Sequence, residues 1–133
     1  QRMFSPSQWK EIIDAVLKNK KKLVLLLNDT KAIDFGLPCN PELVEIHSVC
    51  LNDVFLLNYL KSNIHAHTKI ILGVGGSELN EIENAIKVLC NRNIVLMHGF
   101  QNYPTKYEDV NFLKMKKIMD LFQIKSFSLF KKL

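Results

Sequence analysis

Apolar and polar positions along the chain follow two alternating patterns, one typical of buried strands and one typical of amphipathic helices. Short continuous apolar runs predict strands at 22–28, 43–49, 69–74 and 94–98, and a fifth strand at 123–130. The segments between these runs carry apolar residues at helical spacing. The clearest case precedes the first strand, at Trp9, Ile12, Ile13, Val16 and Leu17. The chain therefore reads as a series of βα units.

Capping residues mark where the predicted helices begin. Ser5 and Gln8 form a capping-box pair around Pro6, which suits the first helical position. Asp29 opens a short helix that ends near Gly36, and Asn52-Asp53 caps a helix over 54–61. A helix with Ile82, Ala85, Ile86 and Leu89 turned inward follows the third strand. Glu108-Asp109 opens a last helix carrying Val110, Leu113, Ile118 and Leu121.

The spacing of the strands predicts an α/β fold of parallel βα units, because each helix must bury its apolar stripe on the sheet. Two architectures fit about five such strands: a segment of a TIM barrel, or an open flavodoxin-like sheet. The chain has 133 residues, whereas a closed barrel needs about 250. We therefore expect one domain over residues 1–133 that forms part of a barrel, and the initial Gln1 suggests a piece of a longer protein.

Composition and charge limit the function classes. The net charge of +5 comes largely from lysine clusters at 18–22, 114–117 and 131–132. Aromatic residues do not interleave these lysines, so solvated helix ends are favoured over a nucleic-acid surface. The apolar runs are too short to span a bilayer, and no secretory segment is evident. With three widely spaced cysteines, reduced thiols in the cytoplasm are expected, with no membrane and no nucleic-acid partner.

The candidate chemistry lies where the predicted strands end. Gly73-Val-Gly-Gly-Ser77 precedes a helix, so it could hold an anion through backbone N–H groups or be a tight turn with Ser77 as N-cap. His98 opens a loop that offers amide and hydroxyl groups suited to a sugar or a carboxylate. The alternative for that loop is a structural turn fixed by Pro104.

Three other histidines carry weaker signals. His65 and His67 could face one side of an extended segment, but they precede a strand and have no third ligand in view. A surface turn is the favoured interpretation, and metal binding is the alternative. His47 falls within a predicted strand beside Glu45, where a structural role is favoured over catalysis.

The segment His98-Gly-Phe-Gln-Asn-Tyr-Pro-Thr-Lys-Tyr-Glu-Asp-Val-Asn111 resembles a motif of the sialic acid synthase (N-acetylneuraminate synthase) family. The resemblance extends from about Ser5 to Phe122 and covers the middle of that family's barrel. It implies condensation of phosphoenolpyruvate with an N-acetyl hexosamine, assisted by a divalent metal such as Mn2+. Phosphorylated or sugar-like small molecules are the partners that follow, with self-association or the remaining barrel segments as macromolecular partners.

Carried over residue by residue, the resemblance implies that Tyr103 contacts the sugar and that Ser48 corresponds to a serine at the family's Lys-Ile-Ala-Ser strand end. Gln101 stands in place of a phosphate-binding Asn, and Ser128 corresponds to a serine that helps to hold phosphate. The substrate-binding candidates from both lines of reasoning are Ser48, Ser77, His98, Gln101, Tyr103 and Ser128.

Three further positions depart from the family pattern. Glu45 replaces a lysine that neutralises phosphoenolpyruvate, Gly73 replaces a serine, and Phe130 replaces a metal-binding histidine. No resident cofactor is therefore assigned to this chain. Three accounts remain: part of a synthase, a noncatalytic relative that binds a sugar or a partner, or an unrelated open α/β domain that holds a phosphorylated ligand.

Overall fold

A computed structural model describes residues 4–90, 92–99 and 104–122. The fold is built on four short strands: β1 (Val24–Leu26), β2 (Leu43–Ile46), β3 (Lys69–Gly73) and β4 (Ile94–Met97). Five α-helices occur among the described residues: α1 (Pro6–Lys18), α2 (Thr30–Gly36), α3 (Val54–Asn63), α4 (Leu79–Val88) and α5 (Phe112–Phe122). Strands and helices alternate along the chain, which confirms the α/β prediction.

The strands form one parallel sheet in the order β1-β2-β3-β4. Val44 pairs with Leu25 on one side and with Ile70 on the other, and Leu72 pairs with Leu96. Neighbours in the sheet are thus neighbours in the chain. This sequential order is that of a barrel segment, whereas a flavodoxin-like sheet has its strands out of sequence. The open flavodoxin-like alternative is therefore wrong for the described strands.

The hydrophobic core lies between the sheet and the helices that cover one of its faces. Alternate strand residues point to this side, and Val44, Ile46, Ile70 and Leu72 are fully buried there. The helices contribute buried residues of their own, among them Ile33, Leu57, Leu60, Ile82 and Ile118. Each fully buried aliphatic side chain stabilises the fold by about 1.5–3 kcal/mol relative to exposure. Packing against this layer of helices holds the sheet in place and so positions the carboxyl ends of its strands.

The opposite face of the sheet carries a different set of side chains. Val24 and Leu26 of β1 remain 47% and 51% exposed, although both are apolar. Glu45 of β2 pairs in register with Leu26 and Ile71, so its side chain also belongs to this face. In a closed barrel this face points to the interior. The described strands thus form an incomplete barrel wall.

The predicted caps define the helix starts. At α1, the Ser5 hydroxyl accepts from the Gln8 N–H and the Gln8 side chain accepts from the Ser5 N–H, which is the predicted capping box. Asp29 and Asp53 cap α2 and α3 through carboxylate oxygens at 2.7 and 2.9 Å from the amides of Ala32 and Leu56. None of the described helices is long and apolar enough to span a membrane.

Two predictions about elements need correction, and one falls outside the described residues. Glu108 and Asp109 lie in a 3₁₀ turn, Tyr107–Val110, and α5 begins only after the left-handed Asn111. Two of the apolar residues predicted for this helix, Leu113 and Leu121, are 81% and 56% exposed, and α5 packs on the core through the buried Ile118 and the partly buried Phe122. The predicted fifth strand at 123–130 lies outside the described residues.

Candidate functional site

The candidate site lies where the four parallel strands end, because carboxyl ends of parallel strands share one edge of the sheet. The loops that gather there follow β1 at Asn28, β2 at His47, β3 at Val74 and β4 at His98. In βα architectures, these loops hold the ligand while the helices behind them hold the strands in place.

Ser48 is brought close to the end of β3. A Cβ placed on Gly73 would lie 2.9 Å from the Ser48 amide nitrogen and 3.4 Å from the Ile46 carbonyl oxygen. Both contacts are with backbone atoms, which cannot swing aside as the end of a side chain can. Gly73 therefore permits a close approach of the ends of β2 and β3, and the serine that the resemblance places at this position has no room here.

His47 has a structural role, as the sequence favoured. It lies just after β2, not within the strand predicted at 43–49, and caps the short 3₁₀ turn Ser48–Cys50, with its Nδ1 accepting from the Val49 amide at 3.4 Å. Its own N–H donates to the Asn28 Oδ1 at 3.3 Å. The bond to Asn28 joins the loops after β1 and β2, and the bond from Val49 holds the turn that contains Ser48.

Cys50 is half-buried in the same loop, and its Sγ lies 3.9 Å from the Asn28 carbonyl oxygen. Burial raises the pKa of this thiol, and the negative charge of Asp53 raises it further. A raised pKa leaves the thiol protonated at neutral pH and hence a poor nucleophile.

Ser77 belongs to a different environment from Ser48. It is only 7% exposed and lines a groove between the start of α4 and α5. Its carbonyl oxygen accepts a 2.7 Å hydrogen bond from the Lys114 ammonium. The N-cap of α4 is Glu78, one residue later than the turn interpretation placed it.

His98 connects β4 to the segment that leads into α5. Its Nε2 lies 3.1 Å from the Val110 carbonyl oxygen, so Nε2 must carry a proton and donate it to that oxygen. Nδ1 is buried and has no hydrogen-bond partner. His98 thus links the end of β4 to the 3₁₀ turn that precedes α5.

The remaining predicted site residues cannot be placed relative to these. Gln101, Tyr103 and Ser128 lie outside the described residues. Their role in substrate binding therefore stays a prediction. Pro104 and Thr105, at the end of the same loop, are described and exposed.

A polar network that the sequence analysis missed joins the loop after β2 to α4. Glu81 accepts from the Asn52 side-chain amide at 2.6 Å and from the Glu78 N–H at 2.7 Å. These hydrogen bonds and the positive charge of Lys114 lower the pKa of Glu81. The sequence feature that indicates this network is Glu81 itself, an acidic residue in the first turn of α4, where the helix dipole favours negative charge.

Metal ligands do not cluster in the described part of the chain, where no group of three His, Cys, Asp or Glu residues comes together. His65 and His67 are exposed, in agreement with the predicted surface turn, and their rings stack nearly parallel with centroids 5.6 Å apart. His67 is also engaged with the Asn40 side chain at 3.2 Å. The described residues therefore do not fit the divalent metal that the resemblance implies.

Comparison with known proteins agrees with this architecture. A model of the NeuB family matches residues 3–128 of the chain. The N,N'-diacetyllegionaminic acid synthase of Campylobacter jejuni is 29% identical over 133 residues, an alignment that covers 90% of this chain and 40% of that protein. The synthase of the same name from Legionella pneumophila is 27% identical over 103 residues, covering 72% of this chain and 28% of that protein.

Solved structures add evidence for the fold. The N-acetylneuraminic acid (sialic acid) synthetase of Leptospira borgpetersenii, solved in complex with citrate, matches with a TM-score of 0.81 at 17% identity. The match covers 91% of this chain and 42% of that one. The chain thus spans two fifths or less of the length of the curated relatives described above. Its four-stranded sheet corresponds to part of a barrel-like synthase fold.

Proposed function

This chain belongs to the NeuB family, and from that membership we propose that it is part of a synthase of acidic sugars of the N-acetylneuraminate type. The proposed reaction condenses phosphoenolpyruvate with an N-acetyl hexosamine. The observation that carries the proposal is the family match over residues 3–128, which includes the strands and the loops at their ends. The relatives named as legionaminic acid synthases support the same reaction class.

Ser48 is the described residue best placed to contact a substrate in this proposal. It follows β2 in a loop fixed by His47 and Asn28, so its backbone position is well determined. A hydroxyl at a strand end can donate to a carboxylate or phosphate oxygen. Removing one preorganised donor of this kind typically costs about 3–4 kcal/mol of transition-state stabilisation.

Glu45 works against binding of phosphoenolpyruvate in the described part of the chain. Its side chain is half-buried on the sheet face that points to a barrel interior, two residues before the loop with His47 and Ser48. Two like unit charges 4 Å apart repel by about 4 kcal/mol at an effective dielectric of 20. We therefore propose that cations outside the described residues neutralise the substrate.

A noncatalytic relative that binds a sugar or a partner is the second candidate function. Two observations favour it: the carboxylate of Glu45 where the resemblance places a lysine, and the absence of space for a side chain at Gly73. Both changes remove groups that would hold an anion, while the backbone of the strand ends is retained. Such a protein keeps the fold of a synthase without its chemistry.

Restoring the missing charge tests the two candidates. The chain is incubated with phosphoenolpyruvate, Mn2+ and a panel of N-acetyl hexosamines, and both phosphate release and the melting temperature are followed. Millimolar phosphoenolpyruvate should raise the melting temperature of the Glu45→Lys variant more than it raises that of the unchanged chain. Glu11→Lys, on the exposed side of α1, makes the same charge change far from the strand ends and serves as control. Equal melting-temperature shifts in the two variants would reject phosphoenolpyruvate binding at the strand ends and favour the noncatalytic candidate.

A further inference from the structure

We propose that Lys61 and Cys90 form a peroxide-sensitive pair, in which oxidation of the thiol is followed by a covalent S–N bond to the lysine amine. The Lys61 Nζ lies 3.2 Å from the Cys90 Sγ, although 29 residues separate the two in the chain. Lys61 belongs to the last turn of α3, and Cys90 follows α4. Because a crossover helix runs back to the start of the next strand, the pair lies at the opposite edge of the sheet from the strand-end loops.

The packing of α3 on α4 sets the contact between the amine and the thiol. Leu60 and Leu89, the residues just before Lys61 and Cys90, are completely buried in the core. The Lys61 ammonium also donates to the Val88 carbonyl oxygen at 2.8 Å, at the end of α4. Two anchored helix ends therefore bring the two reactive groups together, rather than two long side chains that meet on an open surface.

A further contact holds Lys61 beside the thiol. The Arg92 guanidinium donates to the Lys61 carbonyl oxygen, which joins the end of α3 to the segment between α4 and β4. Lys61 is half-buried, whereas Cys90 is exposed. Peroxide can thus reach the sulfur while the amine stays next to it. Access and proximity are the two conditions that a selective oxidation followed by cross-linking requires.

The other two thiols of the chain have different partners. The Cys39 Sγ donates to the Phe35 carbonyl oxygen at 3.5 Å, and the Cys50 Sγ lies 3.9 Å from the Asn28 carbonyl oxygen. A nitrogen nucleophile can condense with an oxidised sulfur, which a carbonyl oxygen does not do. Both thiols are also less exposed than the thiol of the pair. They serve as comparisons within the same molecule.

The proposed reaction uses hydrogen peroxide as its oxidant and has two steps. In the first, the Cys90 thiolate attacks a peroxide oxygen and the O–O bond breaks, which gives a sulfenic acid and a hydroxide that takes up the thiol proton as water. In the second, the neutral Lys61 amine attacks the sulfur. The S–N bond forms, the S–O bond breaks, and the oxygen leaves with one amine proton as a second water. The pair has then lost two hydrogen atoms, and added thiols reduce the sulfenamide back to the amine and the thiol.

The S–N bond would tie the end of α3 to the segment that leads into β4. A cross-link between residues far apart in the chain restricts the unfolded state and so stabilises the folded one. The oxidised chain should therefore melt about 5–10 °C higher than the reduced chain. The stability of the fold would thus respond to peroxide.

Intact-mass spectrometry after treatment with about 1 mM hydrogen peroxide tests the proposal. The parent for this test carries Cys39→Ser and Cys50→Ser, so that one of the three cysteines remains and an intramolecular disulfide cannot form. We expect a mass about 2 Da below that of the reduced parent, a proteolytic peptide that joins Lys61 to Cys90, and recovery of the original mass with dithiothreitol.

Matched lysine variants separate the covalent reaction from a structural role of the contact. Lys61→Arg keeps the positive charge but removes the amine, so it should give no link and should gain about 32 Da at Cys90 through sulfinic acid. Lys87→Arg makes the same change at an exposed position of α4 and should cross-link as the parent does.

Two outcomes would overturn the proposal. One is simple oxidation of the parent at Cys90, or a disulfide-linked dimer, with no peptide that joins the pair. The other is an equal mass loss in Lys61→Arg and Lys87→Arg, which would mean that Lys61 is not the nitrogen that reacts. Because the readouts are masses and not activity, the result is independent of the proposed synthase function.

Discussion

Gly73 allows the close approach of β2 and β3 at the candidate site, so Gly73→Ala is a direct test of that geometry. The added Cβ would lie 2.9 Å from the Ser48 nitrogen, whereas ordinary contacts begin near 3.4 Å. One of the two strand ends must therefore shift by about half an ångström, and overpacking of this kind costs about 1–3 kcal/mol. The φ of Gly73 is not in the left-handed region, so the steric contact alone carries the effect.

A smaller effect of opposite sign must be subtracted. Replacing glycine by alanine restricts the unfolded chain and stabilises the fold by about 0.4–1 kcal/mol. The net loss expected for Gly73→Ala is thus about 1–2 kcal/mol. For a chain of this size, that corresponds to a fall in melting temperature of about 3–8 °C. Urea unfolding followed by circular dichroism measures the free energy of unfolding.

Gly99→Ala is the matched control for this measurement. Nothing lies within 4 Å of a Cβ built on Gly99, and its φ is not positive. The control should therefore be neutral or slightly stabilising. A Gly73→Ala variant whose free energy of unfolding falls within about 0.5 kcal/mol of Gly99→Ala would refute the close approach of Ser48 to β3.

Three further predictions concern the core, the acid limb of stability and the thiols. Leu57→Ala should lower the free energy of unfolding by about 2–5 kcal/mol in urea titrations, because Leu57 is completely buried; a loss below 1 kcal/mol would contradict the core assignment. Because the folded-state pKa of Glu81 is lowered, its contribution is complete above the ordinary glutamate pKa and is lost as the pH falls through the folded value. The stability difference between the unchanged chain and Glu81→Gln should therefore shrink between pH 7 and pH 3, and a constant difference would count against the network with Asn52. At pH 8, iodoacetamide should label the exposed Cys90 about tenfold faster than Cys50, whose pKa is raised by burial, as read by peptide mass spectrometry; equal rates would exclude that burial.

The local elements were readable in the sequence because short-range physics sets them. Ser5, Asp29 and Asp53 were identified as helix starts, and each caps its helix as predicted. Strand positions were also correct, although every strand is shorter than its apolar run; β1 keeps only Val24–Leu26 of the run at 22–28. Ladder hydrogen bonds with a neighbouring strand decide where a strand ends, and an apolar run carries no information about them.

The last helix shows where periodicity fails. Leu113, Ile118 and Leu121 were predicted to lie on one helix, yet Leu113 and Leu121 are largely exposed and only Ile118 reaches the core. The left-handed Asn111 delays the start of α5 and so changes which side chains face the sheet. Apolar character alone does not show which face of a helix is covered.

For the candidate site, too, the sequence determined one part and the tertiary structure decided another. Its location at the strand ends was determined by the sequence, since parallel βα units place their loops at one edge whatever the side chains are. Only the tertiary structure separated Ser48 from Ser77, placing the first beside Gly73 and the second in the groove between the start of α4 and α5, with Lys114. It also placed the His98 ring against the Val110 carbonyl oxygen. Local pattern determines which elements form, while contacts between residues far apart in the chain decide which surface each side chain serves.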